Sequence, residues 1–148
     1  MTDNAIVDWD GEIKARRAAA GDDKWKLTAA EFLAAFAAGV RAFHRADLRK
    51  ADLTGATLYG VGLDYANLAG ANLSHTDLYG VDLDWSNLTG TNLTGSNLRE
   101  ASLFAANLTR AKLIKADLRW ANLGCATLTR AKLSGILLEG ANLADTLF

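Results

Sequence analysis

The sequence, 148 residues long, predicts a β-solenoid, and three observations carry that prediction. Every fifth residue from Leu48 to Leu143 is leucine, 20 in unbroken succession, with Phe43 and Phe148 in the same register at either end. Two positions before each leucine stands a small or modest residue, most often alanine, as at Ala46, Ala51, Ala71 and Ala111. Surface residues repeat at the longer interval of 20: LTRAKL begins at Leu108 and Leu128, LYGV at Leu58 and Leu78, and NLAGANLS answers NLTGTNLT from Asn67 and Asn87.

Geometry removes the other secondary structures. An α-helix turns about 100° per residue, so a step of five advances about 140° and spreads the leucines over every face. A continuous strand sends alternate residues to opposite sides, so an odd step would flip each successive leucine. What remains is a short extended piece that points both residues of A-x-L inward, followed by a corner that resets the direction. Because surface residues recur at 20, four pentads bring the chain back above its starting point, and the coil is square in outline. Residues n and n+20 then stack at the strand spacing of roughly 4.8 Å, and five coils stand roughly 25 Å tall. Glycine two places after leucine, as at Gly55, Gly60, Gly70 and Gly80, suits corners that need positive φ. Where Tyr65, Trp85, Arg110 or Trp120 holds that place, a different turn is expected.

The pentads from Ala46 to Leu143 resemble the pentapeptide-repeat family, whose pattern is A-(D/N)-L-x-x. The resemblance implies a right-handed quadrilateral β-helix, here of about five coils with four pentads each, and a bacterial, cyanobacterial-type setting. The segment EFLAAFAAGVRAFHRADLRKADL is also similar to the helix-to-coil passage that often precedes such repeats.

Residues 1–45 have a different character from the repeats of 46–148. Thr28-Ala-Ala-Glu31 is a capping box, Leu27 can staple to Phe32, and Gly39 suits the position after a helix C-terminus. Thr28 to Ala38 therefore reads as a short helix whose face of Phe32, Leu33 and Phe36 sits on the first coil as a cap. Asp10 to Ala20 reads as a second helix, ended by Gly21. The C-terminal coil has no equivalent cover. Two copies are expected to meet there and bury Leu143 and Phe148, as resemblance to dimeric family members also implies.

Composition narrows the function. With 16 basic and 17 acidic residues the net charge is −1, so no overall pull toward nucleic acid or anionic membrane is expected. One cysteine, Cys125, excludes an internal disulfide and fits a reducing compartment. The first residues lack a signal-peptide pattern and no apolar run reaches membrane-spanning length, which reads as cytoplasmic. His44 and His75 share no motif, and Cys125 has no histidine in its column. Phosphate-binding, dinucleotide and metal motifs are lacking, so no catalysis, cofactor or metal is expected.

Read as columns at n+20, the surface carries two candidate stripes. Tyr59, Tyr79, Tyr65, Trp85, Asp64, Asp82 and Asp84 form an aromatic and acidic candidate for partner binding on the early coils. Arg110, Lys112, Lys115, Arg119, Arg130 and Lys132 form a basic candidate on the later ones. The plain alternative is that both are by-products of coil duplication. Asn67, Asn87 and Asn107 are expected to form a hydrogen-bonded ladder. The leading reading is a non-enzymatic protein-interaction scaffold. The alternative comes from the resemblance: some members of the family modulate DNA gyrase by mimicking duplex DNA, and Asp52, Asp64, Asp77, Asp82 and Asp84 offer part of such a surface. A flat ice-binding lattice would need unbroken threonine columns, which Ala69 and Ile114 interrupt.

Overall fold

A computed structural model describes residues 7–20 and 25–148 of the chain. Two helices come first, α1 (Trp9–Ala20) and α2 (Ala29–Ala37), and then the chain coils. Each pentad contributes an inward small residue, a bridging residue, an inward leucine and a two-residue turn. The leucines from Leu58 to Leu118 are fully buried. Extended stretches are so short that each side contributes one parallel bridge to the side above, as in Asp52↔Asn72, Asn72↔Asn92, Asn92↔Lys112 and Lys112↔Lys132. Two backbone bonds make such a bridge: Leu53 N–H donates to the Asn72 carbonyl at 2.8 Å, and Asn72 N–H donates to the Ala51 carbonyl at 2.9 Å. The pairing interval is the one the surface repeats imply.

Corners close by a hydrogen bond from the next small residue to the leucine carbonyl, for example Ala56 N–H to Leu53 O at 3.1 Å. The expectation of a different turn at bulky corner residues is overturned. Tyr65, Trp85, Arg110 and Trp120 have φ of 57°, 58°, 60° and 63°, close to the 68° of Gly55 and 64° of Gly60. Left-handed backbone costs an L-residue roughly 1–2 kcal/mol, whereas a buried leucine on the adjoining side contributes roughly 1.5–3 kcal/mol. Burial and the coil-to-coil bonds therefore set the corner, and side-chain preference yields.

The bridging Asp and Asn side chains accept from the backbone two residues on: Asn67 Oδ1 from Ala69 N–H at 3.2 Å, Asn87 Oδ1 from Thr89 N–H at 3.1 Å. This is the Asx-turn, and it explains why an acid or amide suits that place. The Asn67, Asn87 and Asn107 column pairs through its backbone, and its side-chain oxygens serve these local turns. Side-chain bonds between coils occur on other columns instead, as from Asn92 Nδ2 to Asn72 Oδ1 at 3.2 Å and from Asn97 Nδ2 to Asp77 Oδ1 at 2.8 Å.

At the N-terminal end, α2 begins with the expected capping box at Thr28 and Glu31. Its buried residues are Phe32 and Ala35, and Phe32 meets Phe43 edge to face at 4.5 Å. Leu33, expected on the coil, is exposed instead, because one residue past Phe32 lies about 100° around the helix. Just before α2, residues 25–27 form a further rung. Asp47 N–H donates to Trp25 O at 2.7 Å, and Leu27 N–H donates to Asp47 O at 3.2 Å. Helix α1 starts one residue before the expected Asp10 and docks by burying Ile13. Arg16 of α1 pairs with Glu31 of α2 at 2.9 Å. Gly21, the expected stop, lies outside the described residues.

Hydroxyl partners inside the coil and the Glu31 pairing each lead to a measurable expectation. The hydroxyls of Thr76 and Thr91 donate to the carbonyls of Leu53 and Leu68 at 3.0 and 2.8 Å, whereas the buried Ser86 hydroxyl has no partner among the described residues. Ser86→Ala should therefore raise stability by about 1 kcal/mol and Thr91→Ala lower it by at least as much, read from chemical denaturation midpoints. The second expectation concerns acid. Arg16, followed by the Thr28 backbone and hydroxyl, holds the Glu31 carboxyl down at about 2. A folded pKa below the unfolded value contributes stability that is present above about pH 4.5 and lost as pH falls toward about 2. Helical circular dichroism should decline across that window, and Glu31→Gln should lose the dependence.

Candidate functional site

Stacking at n+20 places the seven aromatic and acidic candidates around one side of the coil. Tyr59 and Tyr79 stand at one corner, in a column that continues as Arg99 and Arg119. Tyr65 and Trp85 stand at the next corner, with Asp64 and Asp84 one residue before them. Asp82 lies on the side between, in the bridge column of Gly62, Asp82 and Ser102. The candidates are thus two corners and a connecting side.

The Tyr65 corner is the more built of the two. Tyr65 and Trp85 lie with ring centroids 6.3 Å apart and planes 4° from parallel. Both are substantially exposed, at 45% and 54%. Arg45, one coil earlier in the column, holds its guanidinium 5.8 Å from the Tyr65 centroid, and Phe104 meets Trp85 edge to face at 5.8 Å. The seven candidates leave out Arg45, Phe104 and His44, although extending each column by one step of 20 finds all three. Arg45 lies one step before Tyr65, Phe104 one step after Asp84, and His44 one step before Asp64.

The acids at this corner are engaged. Asp64 pairs with His44 Nδ1. Asp84 accepts from the Ser102 hydroxyl and from Phe104 N–H, the latter at 2.9 Å. Asp82 accepts from Asp84 N–H at 3.0 Å. Desolvation by the packed coils pushes the Asp82 carboxyl above its ordinary value, and the like charges of Asp84 and Asp64 add to the shift. Asp82 nonetheless keeps access to solvent, so its environment is crowded but not closed. At the Tyr79 corner, a hydrogen bond to Glu100 raises the Tyr79 phenol.

The basic candidates separate. Arg110 and Arg130 share one corner, Lys112 and Lys132 bridge on the adjoining side, and Lys115 stands at the corner beyond, its stem near Gly135. Arg119 is elsewhere, on the Tyr59 corner, and pairs with Asp117 at 2.6 Å; this pairing lowers the acid and raises the base. Leu143 and Phe148 are exposed at the far end, beside exposed Leu147 and Leu137. Cys125 is exposed, and His75 sits at a left-handed corner under Gly95. Among the described residues no three His, Cys, Asp or Glu side chains group as metal ligands, and no helix is long and apolar enough to cross a membrane.

A family model for pentapeptide repeats matches eight copies over residues 42–63, 66–103, 86–124, 101–140 and 121–148. Among solved structures, the chain is similar to alr5209, a pentapeptide repeat protein from Nostoc, at 34% identity over 76% of this chain and 96% of that one, with a TM-score of 0.66. It is also similar to AT2G44920, a pentapeptide repeat protein of the Arabidopsis thaliana thylakoid lumen, at 28% identity and a TM-score of 0.53. That match covers 66% of this chain and spans 65% of the Arabidopsis protein's length. A third likeness is to Rfr23 from the cyanobacterium Cyanothece, at 28% identity over 73% of this chain and 91% of that one, with a TM-score of 0.42. A search of curated proteins finds no match. The Nostoc and Arabidopsis proteins imply a right-handed quadrilateral β-helix, and the repeat model covers most of the sequence from Ala42 to the last residue. On those grounds the chain belongs to the pentapeptide-repeat family.

Proposed function

We propose that this protein is a non-enzymatic, cytoplasmic interaction scaffold: a right-handed quadrilateral rod of about five coils, capped by α2, that presents its aromatic and acidic side to a protein partner. One observation carries the reading. Tyr65 and Trp85 are large apolar rings held half exposed in parallel on a backbone that leaves them little freedom. Exposed rings held rigidly in this way lose little entropy on binding, which is what makes aromatic side chains effective interface anchors. A photo-crosslinking side chain at Tyr59, introduced in living cells, should trap discrete protein species, and trapping should fall when Tyr65 and Trp85 are replaced. Equal trapping from Thr109, which lies outside the aromatic and acidic patch, would defeat the proposal.

The acid cluster favours a second reading, a DNA mimic acting on DNA gyrase. Against it, Asp64, Asp77 and Asp84 are each bonded to a neighbour in the chain, and the rod turns basic after Arg99. A supercoiling assay should show no effect of the protein. Inhibition or drug protection that disappears on changing Asp64, Asp82 and Asp84 to Asn would establish the mimic instead.

The exposed Leu143, Leu147 and Phe148 support a second copy as the cover of the C-terminal coil. Light scattering should then give twice the 15.8 kDa chain mass, and Phe148→Asp should halve it. A monomer at micromolar concentration would exclude this arrangement.

A further inference from the structure

The partner's chemistry can be taken further, on the reading that the Tyr65 corner is a docking surface. Three aromatic rings among the described residues carry a cation, and each time it is arginine: Arg17 over Trp25 at 5.2 Å, Arg41 over Phe36 at 4.1 Å, and Arg45 over Tyr65 at 5.8 Å. Guanidinium groups stack on ring faces and are weakly hydrated, so they suit this place better than an ammonium. Trp85, the next ring of the Tyr65 column, carries no such cation among the described residues. Past Trp85 the column drops to Ala105 and then Cys125, small side chains that leave a step beside the indole. Trp85 stays 54% exposed, and Phe104 borders the step, its ring edge to face with Trp85 at 5.8 Å. Phe104 leans on Gly124, where a Cβ would stand 3.2 Å from its ring.

The charge at the step is complementary to a cation. Asp84 reaches across the same two coils, and both bonds it accepts, from the Ser102 hydroxyl and from Phe104 N–H at 2.9 Å, fall on Oδ1, which puts a carboxylate with a second oxygen beside the step. Asp82 lies next to it, and no lysine or arginine occurs between Ala51 and Leu98. We infer that the step over Ala105 takes an arginine side chain from a partner protein, which stacks on Trp85 as Arg45 does on Tyr65 and is steadied by Asp84. The ladder then reads arginine, tyrosine, tryptophan, arginine.

Short fluorescent peptides carrying arginine, lysine or glutamate at the same positions test this by polarisation. The arginine peptide should bind, and more tightly than the lysine peptide. Trp85→Gly should weaken it about tenfold, within the range of a partly desolvated cation–π contact. Glycine is at ease at the φ of 58° found there, so the loss would not reflect misfolding. Ala105→Arg should block binding from within by filling the step, and position 105 already holds an L-residue at φ 54°. Equal binding of lysine and arginine peptides, or binding that survives both substitutions, overturns the inference. So does binding of the glutamate peptide at this corner, although the corner would then stand as a docking surface. Failure of every peptide while Tyr59 crosslinks still form removes the arginine and keeps the docking surface; failure of both removes both.

Discussion

Each repeat leucine N–H from Leu48 to Leu128 donates to a carbonyl on the following coil, as Leu48 does to Asn67 and Leu53 to Asn72, and everything else in the molecule depends on that bond. It ties each coil to the next, so burial of the leucine and satisfaction of the backbone become one event. A coil with its leucines inside but its amides unpaired would leave buried donors without partners, at about 1–3 kcal/mol each. A coil paired but not filled would leave a void along the axis. Only the two together make a stable rung, and the small residue two before each leucine lets the chain come close enough for both.

This constraint explains which parts of the fold are legible in the sequence. The period of five and the interval of 20 encode the inward leucines and the coil, because both are set by backbone stacking that every pentad repeats. The capping box at Thr28 and Glu31 is equally readable, since it needs only local spacing. Conformation at Tyr65, Trp85, Arg110 and Trp120 is not, because intrinsic preference argues against left-handed backbone for such residues. That preference is a local energy of roughly 1–2 kcal/mol, and the corner is imposed by contacts with the adjacent coils. Leu33 misleads for the opposite reason: it is apolar, but helix phase points it outward.

The site is partly legible. Columns at n+20 correctly set Tyr65 beside Trp85 and Lys112 beside Lys132. Charge grouping, in contrast, joins residues that belong to different corners, as with Arg119, which lies on the Tyr59 corner and is occupied by Asp117. Charge read along the chain counts carboxylates as free, whereas the folded chain commits Asp64 to His44 and Asp84 to Ser102 and Phe104. What stays exposed and uncommitted is chiefly aromatic surface, and that shifts the weight of the site from the acids to the rings.

A coil of four equal sides has a consequence for how such a chain can change length. Insert or delete one pentad, and the leucine core continues without interruption, because every side is built alike. Every later surface column, however, moves to the neighbouring side of the rod. Tyr65 and Trp85 would part company if a single pentad were lost anywhere in the coil that separates them. Gain or loss of a whole coil leaves all columns aligned. The core therefore counts in fives, while any surface feature assembled from several coils counts in twenties.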